Sequence, residues 1–131
     1  MYFQSCHKGS LFENLIINEF LKQNYHRNLL LDFWFWRDTV GHEIDLIWQN
    51  SEKLNLVGIK TSETIIPEMF KGLNYFEKLS PDLIDSKTLA HTGLFNQSRT
   101  AAKVVSWKSI LQCDNCQRSL YLSFTVHSEM F

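Results

Sequence analysis

The sequence lacks a surplus of charge of one sign: 13 Lys and Arg against 14 Asp and Glu leave a formal net charge of −1. No global electrostatic pull toward nucleic acid or an anionic membrane follows, and any DNA contact has to come from a local patch. No apolar run reaches the length of a membrane span, and no signal-peptide pattern is present, which points to a cytoplasmic protein with no membrane partner. Cysteine is scarce, at three residues. Cys113 and Cys116 form a CDNC pair, but no second CxxC or paired histidines complete a zinc site, so reduced thiols are expected. Internal repeats and low-complexity linkers are absent as well.

What is present is an ordinary globular composition: 131 residues, 44% hydrophobic and 21% charged, with 18 aromatic residues (10 Phe, 4 Trp, 4 Tyr). That is the size of one domain with a real core. The opening MYFQS reads as the remnant of a cleavable expression tag and is set apart from the fold as residues 1–5. The domain proper is expected over 6–112. A C-terminal tail over 113–131 is polar around the cysteines and then apolar in LYLSFTV, an edge strand or a terminus outside the core.

Residues 10–22 carry the helical spacing of Phe12, Leu15, Ile16, Ile17, Phe20 and Leu21. Ser10 is the expected N-cap and Glu13 its capping-box partner, although Glu13 falls inside the apolar stripe. Leucines and aromatics over 29–36 suit a strand buried on both faces, with Trp34, Trp36 and Trp48 as core residues. After a turn at 38–41, where His42 is expected to be solvated, GHEIDLIWQNSEKLNLVGIK reads as two strands, 43–49 and 54–60. The polar turn at 50–53 sets the register: Gln49 faces Leu54, Ile47 faces Leu56, Asp45 faces Gly58 and Glu43 faces Lys60. These last four residues should share one surface, with Glu43 and Lys60 as a cross-strand ion pair. Pro67 starts a helix that runs to about Ser80. Strands follow at 88–94 and 103–107, then a short helix at 107–111. The order predicts a mixed α/β domain with an antiparallel hairpin inside its sheet. Lys53, Lys71 and Lys78 are scattered, which speaks against a dedicated basic groove.

Asp45 and Lys60 are chemically suggestive. Phosphodiester cleavage with a divalent metal uses two carboxylates around a hard cation, with a lysine to polarise water or stabilise developing charge. Residues two apart on a strand point the same way, so an acid-x-Lys triplet serves one site. Here the acid of that triplet is Gly58.

The run GSLFENLIINEFLK, then FWFWRDTVGHEIDLIW, LVGIKTS, FKGLNYF and VVSWKSI, resembles a domain of unknown function found at the C-terminus of many prokaryotic AAA-type ATPases. That domain is similar to a PD-(D/E)xK nuclease. The resemblance covers roughly 7–111. It implies a restriction-endonuclease-like fold with a mixed central sheet and flanking helices. It also implies catalytic roles for Asp45, Lys60 and Glu13, metal ligation by Asp45, Glu13 and Glu43, and Mg²⁺ or Mn²⁺ as cofactor if the site is active. Gly58 stands where the family has a glutamate. The expected function is therefore a degenerate nuclease-like domain, an accessory or interaction module for an ATPase in the same or another chain. The alternatives are an active metal-dependent nuclease using Glu13 or Glu43 with Asp45, and a DNA-binding module without chemistry. No GxxxxGK[ST] phosphate loop occurs, so ATP hydrolysis is not expected of this chain.

Overall fold

The computed structural model describes residues 8–111, with side chains from Leu11 onward. The expected tag remnant, the Cys113/Cys116 pair and the C-terminal tail lie outside the described residues. The element order is α1 (Lys8–His26), β1 (Phe33–Arg37), β2 (Glu43–Asn50), β3 (Lys53–Lys60), a 3₁₀ turn at Pro67–Phe70, α2 (Lys71–Leu79), a second 3₁₀ turn at Pro81–Leu83, β4 (Ile84–His91), β5 (Gln97–Ser98), β6 (Lys103–Ser106) and α3 (Trp107–Leu111). Among the described residues six strands form one mixed sheet in the order β1-β2-β3-β4-β6-β5. The β1–β2, β2–β3 and β5–β6 pairs are antiparallel, and β3–β4 and β4–β6 are parallel. The mixed α/β class and the internal hairpin are as expected.

Each face of the sheet carries its own core. On one side Ile16, Ile17 and Phe20 of α1 pack on Leu46, Trp48, Val57 and Ile59. Trp48 is fully buried, with its ring centroid 5.4 Å from that of Phe20. On the other side Phe70 and Leu73 cover Ile47, Leu56 and Leu89. Two rows of β-branched and leucine side chains on alternating positions of β3 make this possible, since period 2 feeds both faces at once.

Four expectations shift on contact with the structure. Ser10 is not an N-cap, because α1 already starts at Lys8. Glu13 is thereby released from a capping role. The helix also runs four residues past Lys22, because its last turns are stabilised by tertiary hydrogen bonds rather than by apolar spacing: the Gln23 side chain donates to the Ile110 carbonyl (3.2 Å). Asn24 then grips Leu31, accepting its N–H (3.0 Å) and donating to its carbonyl (3.1 Å). The stretch 29–32 is consequently not strand; Asn28 and Leu30 sit in the left-handed region at φ 53° and 58°, which extended chain cannot include. β1 is the five-residue remainder, and it is an edge strand, not one buried on both faces: Phe35 is 61% exposed and Trp34 39%. Finally, β4 begins at Ile84, four residues before the apolar TLAH run, and ends at His91, where the chain turns into a loop. The buried His91 ring fixes that loop, accepting the Gly93 N–H at Nδ1 (3.0 Å) and bonding the Phe95 carbonyl through Nε2 (2.8 Å).

The hairpin register of 46–50 against 53–57 is as the turn predicted. Toward the start of β2 it changes. Trp34 pairs with Ile47 and Trp36 with Ile44, so a single β1 residue, Phe35, opposes two on β2, Asp45 and Leu46. That is a β-bulge, and it inverts the alternation beyond it. Ile44 accordingly packs with Ile47 on the α2 side rather than with Leu46.

The helix α2 reaches the sheet through a contact without side chains. A Cβ placed on Gly72 would lie 2.4 Å from the Glu43 carbonyl oxygen, so only glycine permits this approach. Gly72→Ala is expected to lower stability by about 1–3 kcal/mol, the usual range for forced overpacking. An exposed helical glycine would instead gain from the same change. Urea denaturation of the variant decides the sign.

Candidate functional site

The bulge sets the position of Asp45. The hairpin ladder ends with the pair Leu46 and Val57. Beyond it the Ile59 amide is taken by a side chain: it donates to Asp45 Oδ2 at 2.7 Å. The carboxylate substitutes for a ladder carbonyl, which holds it at the mouth of the hairpin instead of letting it swing into solvent. There it lines a cavity of about 260 Å³ together with Gly58, Lys60, Gly41, His42, Glu43, Glu68, Met69, Lys71, Gly72 and Leu73. Glu43, Asp45, Gly58 and Lys60 therefore line one cavity, although the ladder expected to bring them together ends at Leu46 and Val57.

Glu43 behaves differently. Past the bulge its side chain pairs with Arg37 of β1, Nη2 to Oε2 at 3.0 Å, and not with Lys60. The expected cross-strand pair with Lys60 fails because the added residue on β2 turns Glu43 toward its β1 neighbour. Lys60 is left at the end of β3 with no ion pair among the described residues.

Charge coupling shows what has converged. Burial raises the Asp45 carboxyl from 3.8 to about 7; the Ile59 amide and Lys60 lower it, and Glu13 and Glu43 raise it further. Glu13 is also held above the ordinary carboxylate value, first by burial and then by Glu43, with Lys60 and Arg37 acting the other way. Glu13 of α1 thus belongs to the same electrostatic neighbourhood as Glu43, Asp45 and Lys60. Helix α1, β2 and β3 bring the four together from three separate stretches of chain.

Position 58 faces two leucines. A Cβ on Gly58 would lie 3.3 Å from Leu89 Cδ1 and 3.7 Å from Leu73 Cδ1, so the floor beneath the bare backbone is aliphatic. One Asp45 oxygen is engaged by Ile59, Glu43 is paired to Arg37, and position 58 offers no oxygen beyond its backbone. Among the described residues no group of three or more His, Cys, Asp or Glu side chains is arranged to hold a metal ion.

Several contributors were not foreseen. Asp38 organises the β1–β2 turn: its Oδ1 accepts the N–H groups of Val40, Gly41 and His42 (3.0, 2.8 and 2.8 Å), and its Oδ2 bonds His42 Nδ1 at 2.8 Å. His42 is therefore not a solvated turn residue. Its ring also lies parallel to Tyr75, centroids 3.9 Å apart. An aspartate three residues before a glycine was the available signal, since such residues cap their own turn. Trp36 packs edge-on to Phe76, as a core residue should. The lysines judged scattered are not all so: Lys71 and Lys78, two turns apart on α2, line one shallow depression of about 490 Å³ with Asn74 and Tyr75. It adjoins the Asp45 cavity, sharing His42, Glu68 and Lys71 with it.

Fold and site together define a mixed α/β domain with an acid-and-lysine cavity at the open end of a bulged hairpin. The chain belongs to the DUF4143 family, a domain of unknown function, whose profile matches residues 8–110. No curated protein matches the sequence. No described helix is long and apolar enough to cross a membrane.

The raised Asp45 carboxyl makes stability depend on pH. Between about pH 4 and pH 7 the unfolded chain ionises this group while the native state keeps it protonated. Its contribution is full below pH 4, falls as pH rises through that window and is lost above about 7. Asp45→Asn keeps an oxygen for the Ile59 N–H and removes the titration. The variant should flatten the stability slope between about pH 4 and 7 and exceed the parent protein at pH 8. Equal slopes in urea titrations would show that Asp45 is not the group responsible.

Proposed function

We propose that this domain is a degenerate PD-(D/E)xK nuclease-like module with a restriction-endonuclease-like fold, carried as an accessory or interaction unit of a cytoplasmic AAA-type ATPase. The observation that supports the loss of catalysis is the state of position 58. Asp45 and Lys60 keep the spacing of an acid and a lysine around one cavity. The companion acid is replaced by glycine over an aliphatic floor, and Glu43 is committed to Arg37. With one carboxylate anchored to an amide and no second one opposite, a hard cation lacks the oxygen cage that metal-assisted hydrolysis needs. What remains is a positioned proton-carrying carboxyl beside a lysine, without a means to activate water against a phosphodiester.

A second reading, binding of nucleic acid without chemistry, draws support from the depression that Lys71 and Lys78 share next to the cavity. Phosphate contacts of this kind give affinity that falls with salt. A third, an active nuclease in which Glu13 replaces the missing acid, draws on the coupling of Glu13 to Asp45.

One set of measurements separates them. Single- and double-stranded DNA should survive incubation with the protein in Mg²⁺ or Mn²⁺, and calorimetry should find no Mn²⁺ binding at millimolar metal. Metal-dependent cleavage that Asp45→Ala abolishes would establish the active nuclease. DNA retardation in a low-salt gel, lost in Lys71→Ala/Lys78→Ala, would establish the binding module.

A further inference from the structure

The shallow depression beside the Asp45 cavity gathers hydrogen-bond donors that the fold does not consume. Lys71, Asn74, Tyr75 and Lys78 are spaced by three, one and three residues on α2, which sets them on one helix face. His42 of the β1–β2 turn lines the same depression. Lys60 stands in the adjoining cavity, which shares His42, Glu68 and Lys71 with it. The ammonium groups of Lys60, Lys71 and Lys78 have no ion pair or hydrogen bond among the described residues.

The nearby acids do not balance them. Glu43 is matched by Arg37. Burial pushes the Asp45 carboxyl up to about 7 and holds Glu13 above the ordinary carboxylate value. Glu68 is the one other carboxylate in the two linings. A chain of net charge −1 thus concentrates positive charge at one place.

His42 is the most constrained member of this surface. Three backbone N–H groups already close the turn on Asp38 Oδ1, and Oδ2 is given to the imidazole instead. An ionised carboxylate only accepts, so Nδ1 is the donor in that 2.8 Å bond. Tyr75, stacked at 3.9 Å, fixes the ring from the side of α2. The His42 side chain is 13% exposed, and its Nε2 has no hydrogen-bond partner among the described residues. A carboxylate behind one ring nitrogen sets the orientation and the proton of the other. That is more than the turn itself requires.

We propose that the depression between His42 and α2 binds a phosphate monoester, its oxygens held by Lys71, Lys78 and His42 Nε2, with Asp38 as the positioning residue of the ring. A monoester carries nearly two negative charges and three acceptor oxygens. Donors supplied by a turn and by two successive turns of a helix suit such a tetrahedral group better than a carboxylate, which has two oxygens and one charge. The inference stands apart from the nuclease-like reading. It shares Lys71 and Lys78 with the nucleic-acid reading, whose phosphates are diesters.

Titration of the full chain with methyl phosphate at pH 7, followed by ¹H–¹⁵N NMR, tests this. Saturable shifts are expected at His42, Lys71, Asn74 and Tyr75. Dimethyl phosphate, the matching diester, should bind roughly fivefold more weakly or less tightly still, having lost a charge and an acceptor. Lys71→Ala/Lys78→Ala should weaken methyl phosphate binding by roughly tenfold or more. Both lysines are exposed and alanine is the stronger helix former, so that variant keeps the fold. His42→Gln should weaken binding in the same direction with both lysines in place. The absence of saturable shifts in the parent protein overturns the proposal, as does a double variant that binds like the parent. Equal affinity for monoester and diester also overturns it, and would favour the nucleic-acid reading instead.

Discussion

One hydrogen bond organises the working end of this domain: the Ile59 amide donating to the Asp45 carboxylate at 2.7 Å. A bulge in β2 breaks the regular ladder, and a broken ladder leaves backbone donors that burial does not tolerate. Meeting that donor with a side chain closes the hairpin and drags a carboxyl into a poorly hydrated place, where its ionisation is suppressed. The structural need and the unusual acidity of Asp45 thus have one origin. A perturbed carboxyl in a cavity is a customary pointer to function. Here the perturbation comes first from burial at a position the backbone donor fixes, with Glu13 and Glu43 adding to it and the Ile59 amide opposing it, so the acid can outlast the chemistry it resembles.

That view accounts for what surrounds it. Glu43, displaced by the added residue, finds Arg37. Lys60 keeps its place because the parallel partner β4 extends alongside it as far as His91. Gly58 allows Leu73 and Leu89 to close beneath the strand. The cavity is a by-product of strands that separate at their ends, and α2 seals its far wall.

Much of this was legible in the residues. The hairpin's register follows from alternation and a polar turn, because either face would be inverted by a slip of one. Asp45 and Lys60 do line one cavity, but by way of the bulge rather than of the ladder, which stops at Leu46 and Val57; Glu13 was marked by its place inside an apolar stripe. The bulge was not legible, since it is defined by a third strand that the hairpin pattern does not contain. The exposure of β1 was hidden for the opposite reason: FWFWR has the composition of a buried strand and the position of an edge. The last turns of α1 and the start of β4 escaped because polar residues there serve distant partners, as Gln23 and Asn24 do, and leave no periodic trace. Sequence distance also concealed the stacking of His42 on Tyr75, 33 positions apart in a fold where α2 crosses the turn.

The approach of Gly72 to Glu43 has a mechanical meaning. Where two elements meet through side chains, a displacement of one is absorbed by rotamers, and the other barely registers it. Here main chain rests on main chain, with nothing between them that can yield. At this point the helix bears directly on the backbone of the strand that carries Asp45, with no side chain between them.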